Sequence, residues 1–167
     1  MNGNRLVEFS NGYIEVLTMP TTRHQLMAKL LLLLLTDFVD RPGRGRSLMA
    51  PLRVRLWPDK FREPDLVVML AEHADRMRDE FWDGADLVME VVSDDDRRRD
   101  LETKRFEYGR AGIPEYWIVD PQKGAITVLS LSGTTYAVHG EFARGQRATS
   151  VLLPGFSVAV EDVFTVR

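Results

Sequence analysis

Two acidic side chains occupy positions where acids are costly. Glu90 lies inside the apolar run DLVMEVV, and Asp65 follows Pro64 at the opening of LVVML. A carboxylate carried on an apolar strand is unfavourable unless it is paired or holds a cation. Lys104 follows on the next predicted helix. Two acids and an ammonium group form a set suited to metal-dependent hydrolysis of a phosphodiester. Carboxylate oxygens match Mg²⁺ or Mn²⁺, and the backbone carbonyl of Val91 offers a further oxygen. Such a cation polarises a phosphoryl oxygen and acidifies an attacking water. Lys104 would then stabilise transition-state charge. Its plainer reading is an i,i+4 ion pair with Asp100, worth about 0.3–0.5 kcal/mol.

Arg97, Arg98 and Arg99 open the same helix. The helix dipole disfavours cations there by about 0.3–1 kcal/mol each. A phosphate backbone docking at that end would account for them, as would a surface ion-pair cluster offset by neighbouring aspartates.

The elements that must position these groups follow from pattern. Residues 5 to 19 read as a hairpin turning at Ser10-Asn11-Gly12, with Glu8 and Glu15 as solvent-facing acids on it. A helix starts at a Thr21 or Thr22 cap, with Gln25 near the capping-box position, and runs to about Phe38, where Arg41-Pro42-Gly43 stops it. Its leucines leave little polar face, so it should be buried on most sides, within the domain or against a second copy. His24, in its first turn, reads as a structural hydrogen-bonder or a ligand.

Residues 46 to 57 end in a strand with Leu52, Val54 and Leu56 on one face and Arg53 and Arg55 on the other. Strands follow at 64–70 and 86–93, with a polar stretch between them that contains a short helical piece. The Lys104 helix spans about Arg97 to Ala111, with aspartate caps before it and Gly112 and Pro114 after it. A strand at 115–120, a hairpin over 125–139 and a short strand near 147–152 complete the pattern. Strands interleaved with helices point to an α/β (α+β) mixed central sheet flanked by helices.

The size, 167 residues, fits one domain spanning 1–167 with a sizeable core. The absence of cysteine excludes disulfides and thiolate zinc sites. No signal peptide is evident, and the leucine run 30–35 falls far short of a membrane span, so a soluble, cytoplasmic protein is expected. A net charge of −3 argues against a sequence-indifferent nucleic-acid coat. It leaves room for a nuclease in which a bound cation handles one phosphate.

The strings PDLVVML, DLVMEVVS and RRRDLETKRFEYGRAGIPEYWIVDP together resemble the Uma family of restriction-endonuclease-like proteins, within the PD-(D/E)xK nuclease superfamily. The likeness extends more loosely to the TTRHQ helix start, the PLRVRL strand and the LLPGFSV tail. It implies a restriction-endonuclease-like core with peripheral hairpins and Mg²⁺- or Mn²⁺-dependent cleavage of DNA. Asp65 matches the motif aspartate and Glu90 the second acid. The superfamily lysine, normally two residues after that acid, is replaced by Val92, and Lys104 takes its role from the helix. Asp100 matches a helper position. His24 and one N-terminal acid, Glu8 rather than Glu15, also match family positions. The triplet Asp94-Asp95-Asp96 departs from the family pattern and adds negative charge beside the site.

The leading expectation is therefore a DNA endonuclease, with the leucine-rich helix favouring a homodimer. The rival is a catalytically weak or inactive nuclease fold that acts as a nucleic-acid-binding or regulatory homo-oligomer.

Overall fold

The computed structural model describes residues 6–10, 12–17, 19–94 and 97–167, with side chains over 12–14, 19–94 and 97–167. The chain opens with β1 (Leu6–Ser10) and β2 (Tyr13–Leu17), an antiparallel hairpin with Gly12 at φ 84°. That left-handed conformation is cheap for glycine alone.

Helix α1 (Thr22–Leu35) starts at the Thr21 cap, whose side chain accepts the His24 N–H. A π-helical turn, Thr36–Asp40, extends it. Within the chain it buries one stripe, Met27, Ala28, Leu31 and Leu35, while Leu33 remains 53% exposed. Leu30, Leu32 and Leu34 pack partly buried against the same core, so Lys29 and Leu33 mark the exposed side of the helix's later turns.

Next come β3 (Gly45–Met49), β4 (Val54–Trp57), β5 (Lys60–Arg62), β6 (Leu66–Leu70), β7 (Trp82–Asp83) and β8 (Leu87–Val91). The stretch expected to end in a single strand, 46–57, is two strands in different sheets, separated at Ala50-Pro51. Proline cannot donate to a ladder, so the chain leaves one sheet there and enters the other. Val54 is buried and Leu52 and Leu56 pack behind it, as the alternation predicts.

A second π-helical turn, Arg99–Thr103, leads into α2 (Lys104–Arg110). The remaining elements are β9 (Glu115–Asp120), β10 (Ala125–Ser132), β11 (Thr135–Ala143), β12 (Arg147–Thr149), β13 (Ser157–Ala159) and α3 (Val160–Thr165). The terminal helix was not read from sequence. Val160, Val163 and Phe164 form its buried stripe.

The central sheet is mixed, with order β11-β10-β9-β8-β6-β3, and its β8–β9 pair is parallel. Strand alternation divides its side chains between two cores. Leu66, Val68, Leu87, Met89, Val91, Trp117 and Val119 meet α1, α3 and β13 on one face. Val67, Met69, Val88, Val92, Tyr116 and Ile118 meet Tyr108 of α2 and Val54 and Trp82 of the second sheet on the other. That second sheet has the order β2-β1-β5-β4-β7.

Two buried carboxylates, Glu107 and Glu115, tie separate elements together. Glu107 of α2 receives Lys60 Nζ at 2.6 Å and Arg62 Nε at 2.7 Å, tying β5 to the helix. Glu115 accepts Trp117 Nε1, the Ser150 hydroxyl and the Val151 and Leu152 amides, fastening the 150–153 loop to β9.

Candidate active site

Strands β6 and β8 pair antiparallel with Leu66 opposite Met89 and Val67 opposite Val88. Continued by one residue, that register sets Asp65 opposite Glu90. Asp65 Oδ2 accepts the amide of Val91, the neighbour of Glu90, at 2.8 Å. Two acids distant in sequence are thereby fixed at one end of the sheet.

Glu90 shares the face of β8 that carries Val88 and Val92, the face covered by α2. Lys104 Nζ lies 2.8 Å from Glu90 Oε2 and 2.8 Å from Asp100 Oδ1. The i,i+4 pair anticipated from sequence therefore forms, and the same ammonium also reaches the strand. Val92, at the position where the superfamily carries its lysine, is buried in apolar surroundings. The ammonium from α2 reaches this face as a buried group held by two carboxylates, Glu90 and Asp100.

Glu90 is 2% exposed, and burial raises its carboxyl to about 8; Lys104 opposes this rise, while Asp65 and Asp100 add to it. Tyr108, one turn beyond Lys104, donates its hydroxyl to Glu90 Oε1 at 2.5 Å. Sequence reasoning did not single out this tyrosine. The spacing of Asp100, Lys104 and Tyr108, four residues apart on one helix face, is the signal that could have found it.

His24 is brought into the same place. Its Nε2 lies 3.1 Å from Asp65 Oδ2 and 3.1 Å from the Val91 carbonyl oxygen. Nδ1 is buried without a partner among the described residues. A proton on Nδ1 would be stranded, so the stable neutral tautomer carries it on Nε2 and donates it to those oxygens. Burial pulls the imidazole pKa down, but the hydrogen bond and charge of Asp65, helped by Glu90, raise it overall.

These six groups, Asp65, Glu90, Val91, Asp100, Lys104 and His24, line one cavity of about 550 Å³. Arg99 and Asp94 also line it. Arg97 instead makes a two-point pair with Asp120 at 3.0 and 2.7 Å, and the exposed Arg98 pairs with Glu102. Asp94, which opens the acidic triplet, accepts from Gln122, and Arg97, which follows the triplet, pairs with Asp120, so both are tied to the 120–122 segment. Asp95 and Asp96 lie outside the described residues, as do the side chains of Glu8 and Glu15. His73 bonds Asp86 at 2.8 Å, just before β8 and at the opposite end of that strand from Glu90. Arg53 bonds the Glu80 carbonyl, and Arg55 is engaged by Asp83.

The donor set fits a hard divalent cation. Among the described residues no three His, Cys, Asp or Glu side chains converge as a ligand cluster. Two carboxylates and one carbonyl give an all-oxygen, low-denticity set. Mg²⁺ and Mn²⁺ tolerate that because they retain several waters. Asp65 and Glu90, with the Val91 carbonyl, are the residues that would hold it.

A family model described as "Uma2: Putative restriction endonuclease" matches residues 2–161. The chain belongs to the Uma2 family. Among solved structures it is similar to a crystal structure from Anabaena variabilis, described as a putative nuclease belonging to DUF820. The TM-score is 0.77 at 16% identity, covering 95% of this chain and 89% of that one. At that identity the likeness establishes the restriction-endonuclease-like fold of this Uma2 member. No curated protein matches the chain. Among the described residues, no helix is long and apolar enough to cross a membrane.

Proposed function

We propose that this Uma2 protein is a Mg²⁺- or Mn²⁺-dependent endonuclease that hydrolyses phosphodiester bonds in DNA. The observation that carries the reading is the placement of Asp65 and Glu90 on paired strands in one cavity, with Lys104 Nζ 2.8 Å from Glu90. A bound divalent cation supplies Lewis-acid polarisation of the scissile phosphoryl group and lowers the pKa of the attacking water.

The chain's own residues do the rest. Asp65 and Glu90 supply the anionic seat. His24 and the Val91 amide hold Asp65 Oδ2 from two sides. Lys104 places a fixed positive charge where the phosphoryl group gains negative charge, a role worth most in a water-poor site. Asp100 holds that ammonium from the opposite side. Arg99, which lines the cavity, is the member of the arginine run best placed to meet the nucleic-acid backbone. Arg98 is exposed beside it, and Arg97 contributes by anchoring the helix start to Asp120.

The test is a panel of labelled DNA and RNA, single- and double-stranded, incubated with Mg²⁺ or Mn²⁺. Wild type should cleave DNA, and Asp65→Ala and Glu90→Ala should not; undiminished cleavage by both variants would remove the proposal.

One observation favours a second reading, an inactive fold retained for nucleic-acid binding or regulation. Both Glu90 oxygens are already engaged, by Lys104 and by Tyr108. Calorimetry separates the two, because an inactive site takes up no Mg²⁺ at millimolar concentration. A homodimer and a cytoplasmic setting complete the proposal, and light scattering that shows only monomer would strike out the dimer.

A further inference from the structure

We infer that Tyr108 is a positioning residue for the cation site, fixing the Glu90 carboxylate so that it presents one orientation to the metal. The inference rests on the metal-site reading above and adds to it a residue with no role in that reading.

Glu90 is the carboxylate ligand candidate that lies within a strand of the sheet, and a glutamate has three side-chain torsions to restrain. Its backbone pairs with Ile118 of β9, and the preceding residue, Met89, pairs with Leu66 of β6. The carboxylate plane needs two further points. Lys104 supplies one at Oε2 and Tyr108 the other at Oε1, at 2.8 and 2.5 Å. A hydroxyl-to-carboxyl contact of 2.5 Å lies at the short end of the range for O–H···O bonds, about 2.5–3.0 Å.

The tyrosine is itself immobile. It is fully buried, and its ring meets Tyr116 edge-on at 5.2 Å and 79°. The Tyr116 hydroxyl in turn donates to the Asp100 carbonyl at 2.8 Å. Tyr116 therefore braces both Tyr108 and the π-helical turn that carries Asp100. Turns of this kind recur at functional sites because they shift a few side chains without ending the helix.

Lys104 and Tyr108 differ in what they do for the seat. The ammonium neutralises Glu90 and competes with a cation for its charge. The neutral hydroxyl orients the carboxylate and leaves its charge available. Loss of such a hydrogen-bond partner behind a metal ligand lowers metal affinity by about 10- to 100-fold.

The experiment is calorimetric titration of the full chain with Mn²⁺ alone, in wild type, Tyr108→Phe and Tyr136→Phe. Tyr136 is the matched control, since its buried hydroxyl bonds the Ile113 carbonyl instead of the site. The expected result is about 10- to 100-fold weaker Mn²⁺ binding in Tyr108→Phe, with Tyr136→Phe equal to wild type. Equal binding by Tyr108→Phe, or an equal loss in Tyr136→Phe, overturns the inference and leaves the metal site standing. Wild type that binds no Mn²⁺ overturns both.

Should Tyr108→Phe not fold, the near-ultraviolet tyrosine difference spectrum of Tyr136→Phe on Mn²⁺ addition provides the second test. A shift is expected as Glu90 transfers charge to the ion, and a silent spectrum in protein that binds Mn²⁺ overturns the inference.

Discussion

Lys104 Nζ stands 2.8 Å from Glu90 Oε2, joining helix α2 to strand β8. If this ammonium stabilises the transition state, Lys104→Ala should lower the cleavage rate by about 10²–10³, the range for losing one preorganised donor. Mn²⁺ binding should survive, because the lysine competes with the ion for Glu90. Lys104→Arg should not rescue the rate, since a planar guanidinium does not replace a compact ammonium held between two carboxylates. Single-turnover cleavage alongside Mn²⁺ calorimetry checks both halves, and loss of metal binding in Lys104→Ala would contradict the assignment.

His24 bridges Asp65 and the Val91 carbonyl through one nitrogen. Among the described residues, its removal leaves Asp65 Oδ2 with the Val91 amide as its hydrogen-bond partner. His24→Ala should therefore weaken Mn²⁺ binding by about 10-fold, the low end for a residue that orients a ligand. His24→Gln, which retains a donor, should lose less. If the two variants bind equally, the Nε2 donor is not what orients Asp65.

The acids were legible because each breaks a rule. A charge within an apolar strand marks a place where ordinary burial fails, and Asp65 and Glu90 are such charges. Tyr108 breaks none: a tyrosine on the inner face of a helix reads as core, and only the tertiary register aims its hydroxyl at Glu90. No local pattern marks Lys60 and Arg62 for burial, yet both are 1% exposed because Glu107 of a distant helix meets them. Strand β5, which holds them, has three residues and β7 has two, too short for any periodicity to register. The alternation over 52–56 was correct about faces. It could not show that the chain changes sheets at Pro51, because sheet membership is decided by partners elsewhere in sequence.

Glu107 fastens the second sheet to the helix that carries Lys104 and Tyr108. Glu107→Ala would leave two buried cations without the carboxylate they share. Breaking a buried ion pair from one side costs about 3–5 kcal/mol, mostly the penalty of the charge left behind. The denaturation midpoint should fall accordingly with little change in the slope m. A loss below about 1 kcal/mol, as for an exposed pair, would show that apolar contacts alone hold the sheet to the helix.

Arg97 and Asp120 provide the pH-dependent counterpart. Burial pushes the Asp120 carboxyl up, but hydrogen bonds from Arg97 and from the Lys123 and Gln122 amides outweigh it, so its pKa lies below the usual 3.8. With the folded pKa below the unfolded one, the unfolded chain takes up this proton first on acidification. The pair's contribution is therefore complete above about pH 4 and is lost as pH falls through the folded pKa. At neutral pH, Arg97→Ala should cost about 1–2 kcal/mol, between an exposed pair and a buried one. The difference between wild type and Arg97→Ala should shrink when the denaturation series is repeated below pH 4. A difference that stays constant down to the acid transition would mean that Arg97 stabilises the helix start by packing, with no electrostatic contribution from Asp120.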